Sequence, residues 1–97
     1  MVRPVKPRRV YIEPKTVYFK PRAVPLSLLE EIELKVDELE AIRLCDLEGL
    51  EQIQAAKKMG ISQSTLGRIL SKAREKIADA LVNGKAIKIK CTIQSIQ

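Results

Sequence analysis

All five prolines of this 97-residue chain, Pro4, Pro7, Pro14, Pro21 and Pro25, fall within its first 25 residues. Proline lacks the N–H that a helix interior needs and drives the residue before it toward extended backbone, so this density excludes a helix there. The three aromatics, Tyr11, Tyr18 and Phe19, occupy the same stretch. Two β-prone pieces remain between the breakers, Val10-Tyr11-Ile12 and Thr16-Val17-Tyr18-Phe19. Beyond residue 25 proline is absent and helices become possible, which divides the chain into an extended front and a helical body.

Within that body, the segment from Pro25 to Ile32 reads as a short helix or turn. A firmer helix is expected from Asp37, whose carboxylate would cap it while Glu40 reaches back, to Glu48, with Gly49 as the stop. Leu39, Ala41, Ile42 and Cys45 share one broad face, but Leu44 and Leu47 fall outside it. Such a helix is expected to pack on two sides, with the aromatic N-terminal segment or a second subunit as the second cover.

The most informative stretch runs from Glu51 to Lys76. Gln52 opens a short helix, and Ala55 and Ala56 let another helix cross closely. Gly60 sits where the chain must reverse, in a left-handed conformation cheap only for glycine. Ile61 anchors the turn and Ser62 is a good N-cap for a second helix reaching about Leu81. In that helix Leu66, Ile69, Leu70, Ala73, Ile77, Ala80 and Leu81 form one apolar stripe. This succession is the helix-turn-helix pattern. After Asn83-Gly84, Ile87, Ile89, Cys91 and Ile93 alternate with polar residues, which predicts a half-buried strand over 87–93. Its partner would be an N-terminal β-prone piece or a twin strand in a dimer.

The segment Asp46 to Lys76, with LEGL before the first helix and GISQSTLGRILSKAREK after it, resembles the promoter-binding helix-turn-helix at the C-terminus of bacterial sigma factors. The whole chain, from RPVKPRRV through YFKPRAVPL and DELEAIRLCDLEGL to ADALVNGKAI, is similar to a small prokaryotic family of predicted DNA-binding proteins. The resemblance covers about nine tenths of the chain and implies DNA binding without supplying a target. The expected fold is mainly α, winged-helix-like: a helical bundle carrying the helix-turn-helix (51–81 within a 26–84 domain), a basic proline-rich arm over 1–25, and a small β element joining that arm to a C-terminal strand over 85–97.

Charge is distributed unevenly behind the net +6. Residues 1–25 carry seven Lys or Arg against Glu13 alone, nine acids cluster in residues 30–51, and nine bases lie in residues 57–90. This suits a polyanion on one side and another partner on the other. The alternative is that the acidic and basic halves pair with each other within a fold or a dimer.

In a helix-turn-helix the N-terminal half of the second helix enters the major groove. That geometry puts Gln63, Ser64, Thr65, Gly67, Arg68 and Ser71 at the base edges. The planar fork of Arg68 matches the O6/N7 acceptors of guanine, Gln63 can pair with adenine, and Ser64 and Thr65 can serve base or phosphate. Lys72, Arg74 and Lys76, the arm residues Arg3, Lys6, Arg8 and Arg9, and Lys57 and Lys58 are candidate phosphate contacts. The two lysines equally suit plain compensation of the helix dipole. Gly67 costs about 1 kcal/mol relative to alanine in a helix, so it either admits close approach to DNA or is tolerated.

Enzymatic chemistry finds no support: the chain has no histidine, no phosphate-cradling glycine loop, and no nucleophile beside a base. Glu30, Glu31, Glu38 and Glu40 spread around a helix rather than converge on a metal, and Cys45 and Cys91 read as two buried thiols. No metal or cofactor is expected. No apolar run approaches the ~20 residues needed to cross a bilayer. No apolar stretch follows the basic N-terminus, so neither a signal peptide nor a membrane is expected, and a cytoplasmic location follows. The expected function is sequence-specific binding of double-stranded DNA as a transcriptional regulator, as a homodimer on a palindromic site. Two rivals are an adapter that touches RNA polymerase or a regulator through the acidic half, and an RNA-binding protein stacking bases on Tyr11, Tyr18 and Phe19.

Overall fold

The computed structural model describes residues 9–10 and 17–90. Three strands and three helices follow in the order β1 (Tyr18–Phe19), β2 (Glu31–Lys35), α1 (Val36–Ile42), α2 (Gln52–Met59), α3 (Gln63–Asn83) and β3 (Ala86–Lys90). A 3-10 turn over Leu26–Leu28 precedes β2, and a π-helical turn over Arg43–Leu47 extends α1. The chain is therefore mainly helical with a small sheet, as its proline distribution implies.

That sheet joins the two ends of the chain, but with one strand more than expected. β3 lies in the middle, antiparallel to β1 (Tyr18 opposite Lys88, Phe19 opposite Ile87) and parallel to β2 (Glu31 opposite Ala86 through Lys35 opposite Lys90). The β1 partner matches the Thr16–Phe19 piece at Tyr18-Phe19. The β2 partner corrects the expectation of a helix or turn through Ile32. Residues 31–35 alternate as Glu-Ile-Glu-Leu-Lys, so one face carries Ile32 and Leu34 onto the core while the other stays exposed. The strand expected over 87–93 begins at Ala86, and its last three residues lie outside those described, as do Tyr11 and Ile12.

Helix starts are set by the chain that feeds them. β2 runs straight into α1 without a loop, so the helix opens at Val36 and not at Asp37. The capping carboxylate is then Glu38, whose Oε1 accepts from the Lys35 N–H at 2.9 Å, in place of the expected Asp37–Glu40 pair. Before α2, Glu51 and Gln54 form a reciprocal capping box. Between α2 and α3 the chain turns through Gly60, at φ +69°, and Ser62 caps α3 by accepting from the Thr65 N–H at 3.1 Å. The second helix ends two residues later than expected, at Asn83, with left-handed Gly84 after it.

Two apolar clusters hold these elements. Ala41, Leu44, Ala55, Ala56, Met59, Leu66 and Leu70 form the first, between α1, α2 and the N-terminal half of α3. Ala55 and Ala56 are fully inside, which is what lets the helices approach. Leu34, Ala73 and Ile89 form the second, where the sheet packs on the middle of α3. Leu44 is 1% exposed and sits one turn on from Ala41, where i, i+3 spacing puts both on the same face, so the expectation that it falls outside the buried face is corrected. Leu47 is left outward at 78% exposure. The second cover for α1 is thus α3 and the sheet. Phe19, expected to pack against the helices, is 53% exposed.

Candidate functional site

The polar face of α3 is displayed by what its opposite face buries. Leu66, Leu70, Ala73 and Ala80 are pinned inside, so at 100° per residue Ser64, Arg68, Ser71 and Lys72 all point outward, and all four are exposed. From Gln63 to Lys72 the helix contains no acid. Gln63 is exposed on its flank. Around the cap, the Ser62 hydroxyl donates to Thr65 Oγ1 at 2.8 Å and lies 3.2 Å from Ser64 Oγ. The Arg68 Nη2 reaches the same Thr65 oxygen at 3.4 Å, a long bond for a group otherwise open to solvent.

Two of the six expected base contacts sit elsewhere. Thr65 is half-buried and closes the cap. Gly67 is half-buried beside α2, where a Cβ would meet only Gln52 Oε1, at 3.6 Å.

The expected phosphate contacts separate into open and engaged cations. Lys57 and Lys58 are exposed in the last turn of α2. Lys72 is 61% exposed at its side chain, with Glu75 at 3.6 Å. Arg74 instead holds Asp46 through a two-pronged pair, Nη2 to Oδ1 at 2.6 Å and Nε to Oδ2 at 3.1 Å. That guanidinium lowers the Asp46 carboxyl below its ordinary range. Lys76 lies inside the fold, its ammonium donating to Glu38 Oε1 at 2.9 Å and to the Glu33 carbonyl at 2.8 Å. Of the arm residues, Arg3, Lys6 and Arg8 are outside the described part. Arg9 lies on the C-terminal turn of α2, with its N–H on the Met59 carbonyl at 3.0 Å and its Nη2 on the Lys57 carbonyl at 3.2 Å.

Part of the acidic half pairs with the basic one. Glu38–Lys76, Asp46–Arg74 and Glu30–Lys85 are ion pairs joining residues 30–46 to residues 74–85. Glu40, wholly buried, takes two bonds from Arg43, which also holds Glu48. Glu31 Oε2 accepts from the Tyr18 hydroxyl across the top of β3 at 2.6 Å. Among the described residues no three acids, cysteines or histidines converge on a metal position. Cys45 is a free, half-buried thiol whose pKa is raised by burial, and Cys91 is not among the described residues. No described helix is long and apolar enough to cross a membrane.

Sequence reasoning missed the seating of Arg9 and the diversion of Arg74 and Lys76. Only the matching counts of acids in 30–51 and bases in 57–90 pointed to the latter. Nothing in the sequence pointed to the former.

The family model described as "Protein of unknown function DUF134" matches residues 1–95. A UPF0251 protein of Caldanaerobacter subterraneus subsp. tengcongensis is 61% identical over 89 residues, which are 92% of this chain and 75% of that protein. One of Moorella thermoacetica is 61% identical over the same share of this chain and 60% of its own length, and one of Methanocella arvoryzae is 62% identical over 53% of its length. Some relatives therefore extend well beyond the matched region. No solved structure matches the chain. Identity at this level along nearly the whole length leaves one assignment: the chain belongs to the prokaryotic DUF134 family, whose curated members are called UPF0251 proteins.

Proposed function

We propose that this protein binds double-stranded DNA sequence-specifically, with α2 and α3 acting as a helix-turn-helix, and serves as a transcriptional regulator. The observation that carries the reading is the acid-free outer face of the first ten residues of α3, where Ser64, Arg68, Ser71 and Lys72 are exposed while Leu66 and Leu70 are buried behind them. A helix held from behind and polar in front is what a major groove accommodates. The sharp turn at left-handed Gly60 and the Ser62 cap support the same reading.

In this reading Arg68 takes the guanine edge, and its single long bond to Thr65 is readily exchanged for two short ones. Gln63, Ser64 and Ser71 supply further polar contacts. Thr65 and Gly67 are assigned to the cap and to the α2 contact. Lys57, Lys58 and Lys72 serve phosphates, while Arg74 and Lys76 serve the fold. Few base contacts per copy favour a homodimer on a palindromic site. The adapter reading keeps only part of its acidic surface, since Glu38 and Asp46 are paired with bases of the same chain whereas the Glu30 side chain stays 79% exposed.

The test is selection from a random duplex library with sequencing of the retained fraction, for the wild type and Arg68→Ala. Enrichment of a palindrome that Arg68→Ala no longer retains supports the proposal. Retention without any enriched motif, unaffected by Arg68→Ala, refutes it.

A further inference from the structure

We infer that the far end of α3 and the strand beside it form the face through which two copies of this chain join, with Val82 of each copy seated in an apolar groove of the other. This names the face of the homodimer proposed above, and it rests on that reading only for the use to which the dimer is put.

Exposed large apolar side chains gather at this end of the molecule. α3 ends at Asn83, left-handed Gly84 turns the chain, and β3 begins at Ala86. β1 closes the same corner, since Phe19 stands opposite Ile87. Between these elements lies a groove of about 250 Å³, floored by Ala80 and Ile87 and walled by Phe19, Pro21 and Leu81. Leu81 is 76% exposed and Val82, the next residue, 81%. The connection that leaves β1 at Phe19 and returns at Glu31, opposite Ala86, adds the exposed Leu26 and Leu28. A single exposed leucine is ordinary. Five large apolar side chains more than half exposed at one end of a small domain mark an interaction face.

The occupant follows from the face itself. It holds a hollow and, one residue from its Leu81 wall, the projecting side chain of Val82. A surface with both a hollow and a knob is complementary to itself under a two-fold rotation, in which each contact is made twice. The surroundings carry both signs of charge as well, with Lys20 and Arg22 as exposed cations and Glu30 as an exposed acid. A rim of one sign would repel its own copy, whereas a mixed rim can pair with it. A stable dimer draws about 800 Å² from each partner, and five such side chains with the groove and its rim supply area on that scale. The reading surface stays clear of the join, because Leu81 lies about 20 Å along the helix axis from Arg68.

Mass in solution is to be measured by sedimentation equilibrium, without DNA, for the full chain, Leu81→Glu/Val82→Glu and Leu47→Glu. In a mixture of isotope-labelled and unlabelled wild type, NOEs between copies are sought by NMR. The wild type should weigh twice 10.9 kDa at micromolar concentration. Leu81→Glu/Val82→Glu should weaken the dimer at least about 100-fold with an unchanged far-UV CD spectrum, since both side chains already face water in the single chain. Leu47→Glu, at an equally exposed leucine outside this face, should leave the mass unchanged. The Val82 methyl groups should show NOEs to the Phe19 ring of the other copy, a readout that needs no variant to fold. A wild type that is monomeric at NMR concentrations overturns the proposal, and so does a dimer that Leu81→Glu/Val82→Glu leaves intact or that Leu47→Glu breaks equally. Duplex selection separates this face from the reading it serves. A dimer that binds no duplex refutes the DNA reading and leaves the face standing, whereas a monomer that still enriches a motif overturns the face alone.

Discussion

The two halves of α3 share one apolar stripe, yet they spend their charges differently. From Gln63 to Lys72 the buried side enters the cluster of Ala41, Leu44, Met59 and their neighbours, and the basic outer side faces solvent. From Ala73 onward the helix packs on the sheet, and Arg74 and Lys76 are bound to acids from the π turn and α1, with Lys76 also on a β2 backbone carbonyl. The first half is held so that its charges stay available. The second uses its charges to hold the fold. A lysine or arginine on a helix thus tells little about its role until the nearest carboxylate is located.

The largest expected effect breaks the structural half. Lys76→Met strands the buried Glu38 carboxylate, and about 3 kcal/mol of stability should be lost. Urea unfolding checks this; a loss well under 1 kcal/mol would show that Glu38 is satisfied by the Lys35 N–H alone. The next effect concerns the open half. Arg68→Ala should cost about 2 kcal/mol in affinity for the selected duplex while leaving the urea midpoint in place, and a shifted midpoint would move Arg68 into the structural class.

A third substitution sharpens the boundary between the faces. Gly67→Ala introduces a methyl at ordinary contact distance from Gln52, so the helix-propensity gain of about 1 kcal/mol should appear as a higher Tm. Unchanged DNA affinity is expected alongside it. A ten-fold weaker complex would instead place the nucleic acid backbone directly against residue 67.

The smallest effect is the pH response of the Arg74–Asp46 pair, which is largely exposed and worth at most about 1 kcal/mol. The folded-state pKa of Asp46 lies below its unfolded value, so its contribution is complete above about pH 4 and fades as pH falls through the folded pKa. Asp46→Asn should flatten that acid limb slightly in thermal melts at pH 2–5. An unchanged limb would remove the pair from the stabilising set.

What was legible in the sequence was local. The left-handed Gly60, the Ser62 cap and the Leu66–Leu70 stripe each depend on residues within one or two turns. β2 escaped notice because its Glu-Ile-Glu-Leu-Lys alternation is short and acidic, and becomes a strand only by lying beside β3, more than fifty residues later. Leu44 was misplaced because the buried face was drawn through Leu39, Ala41, Ile42 and Cys45 alone, although i, i+3 spacing sets Leu44 beside Ala41. Within the candidate site, the exposed polar face was readable, whereas nothing near Arg68 or Arg74 in sequence distinguishes an open guanidinium from one committed to Asp46.

The central position of β3 also governs when the fold can close. β1 and β2 are not ladder neighbours, and each depends on Ala86–Lys90 for its backbone pairing. During synthesis both strands must wait, edges open, while all three helices are made. The sheet therefore forms in one late, long-range step, slow by the loop entropy it closes, after the local α2–α3 turn has every contact it needs.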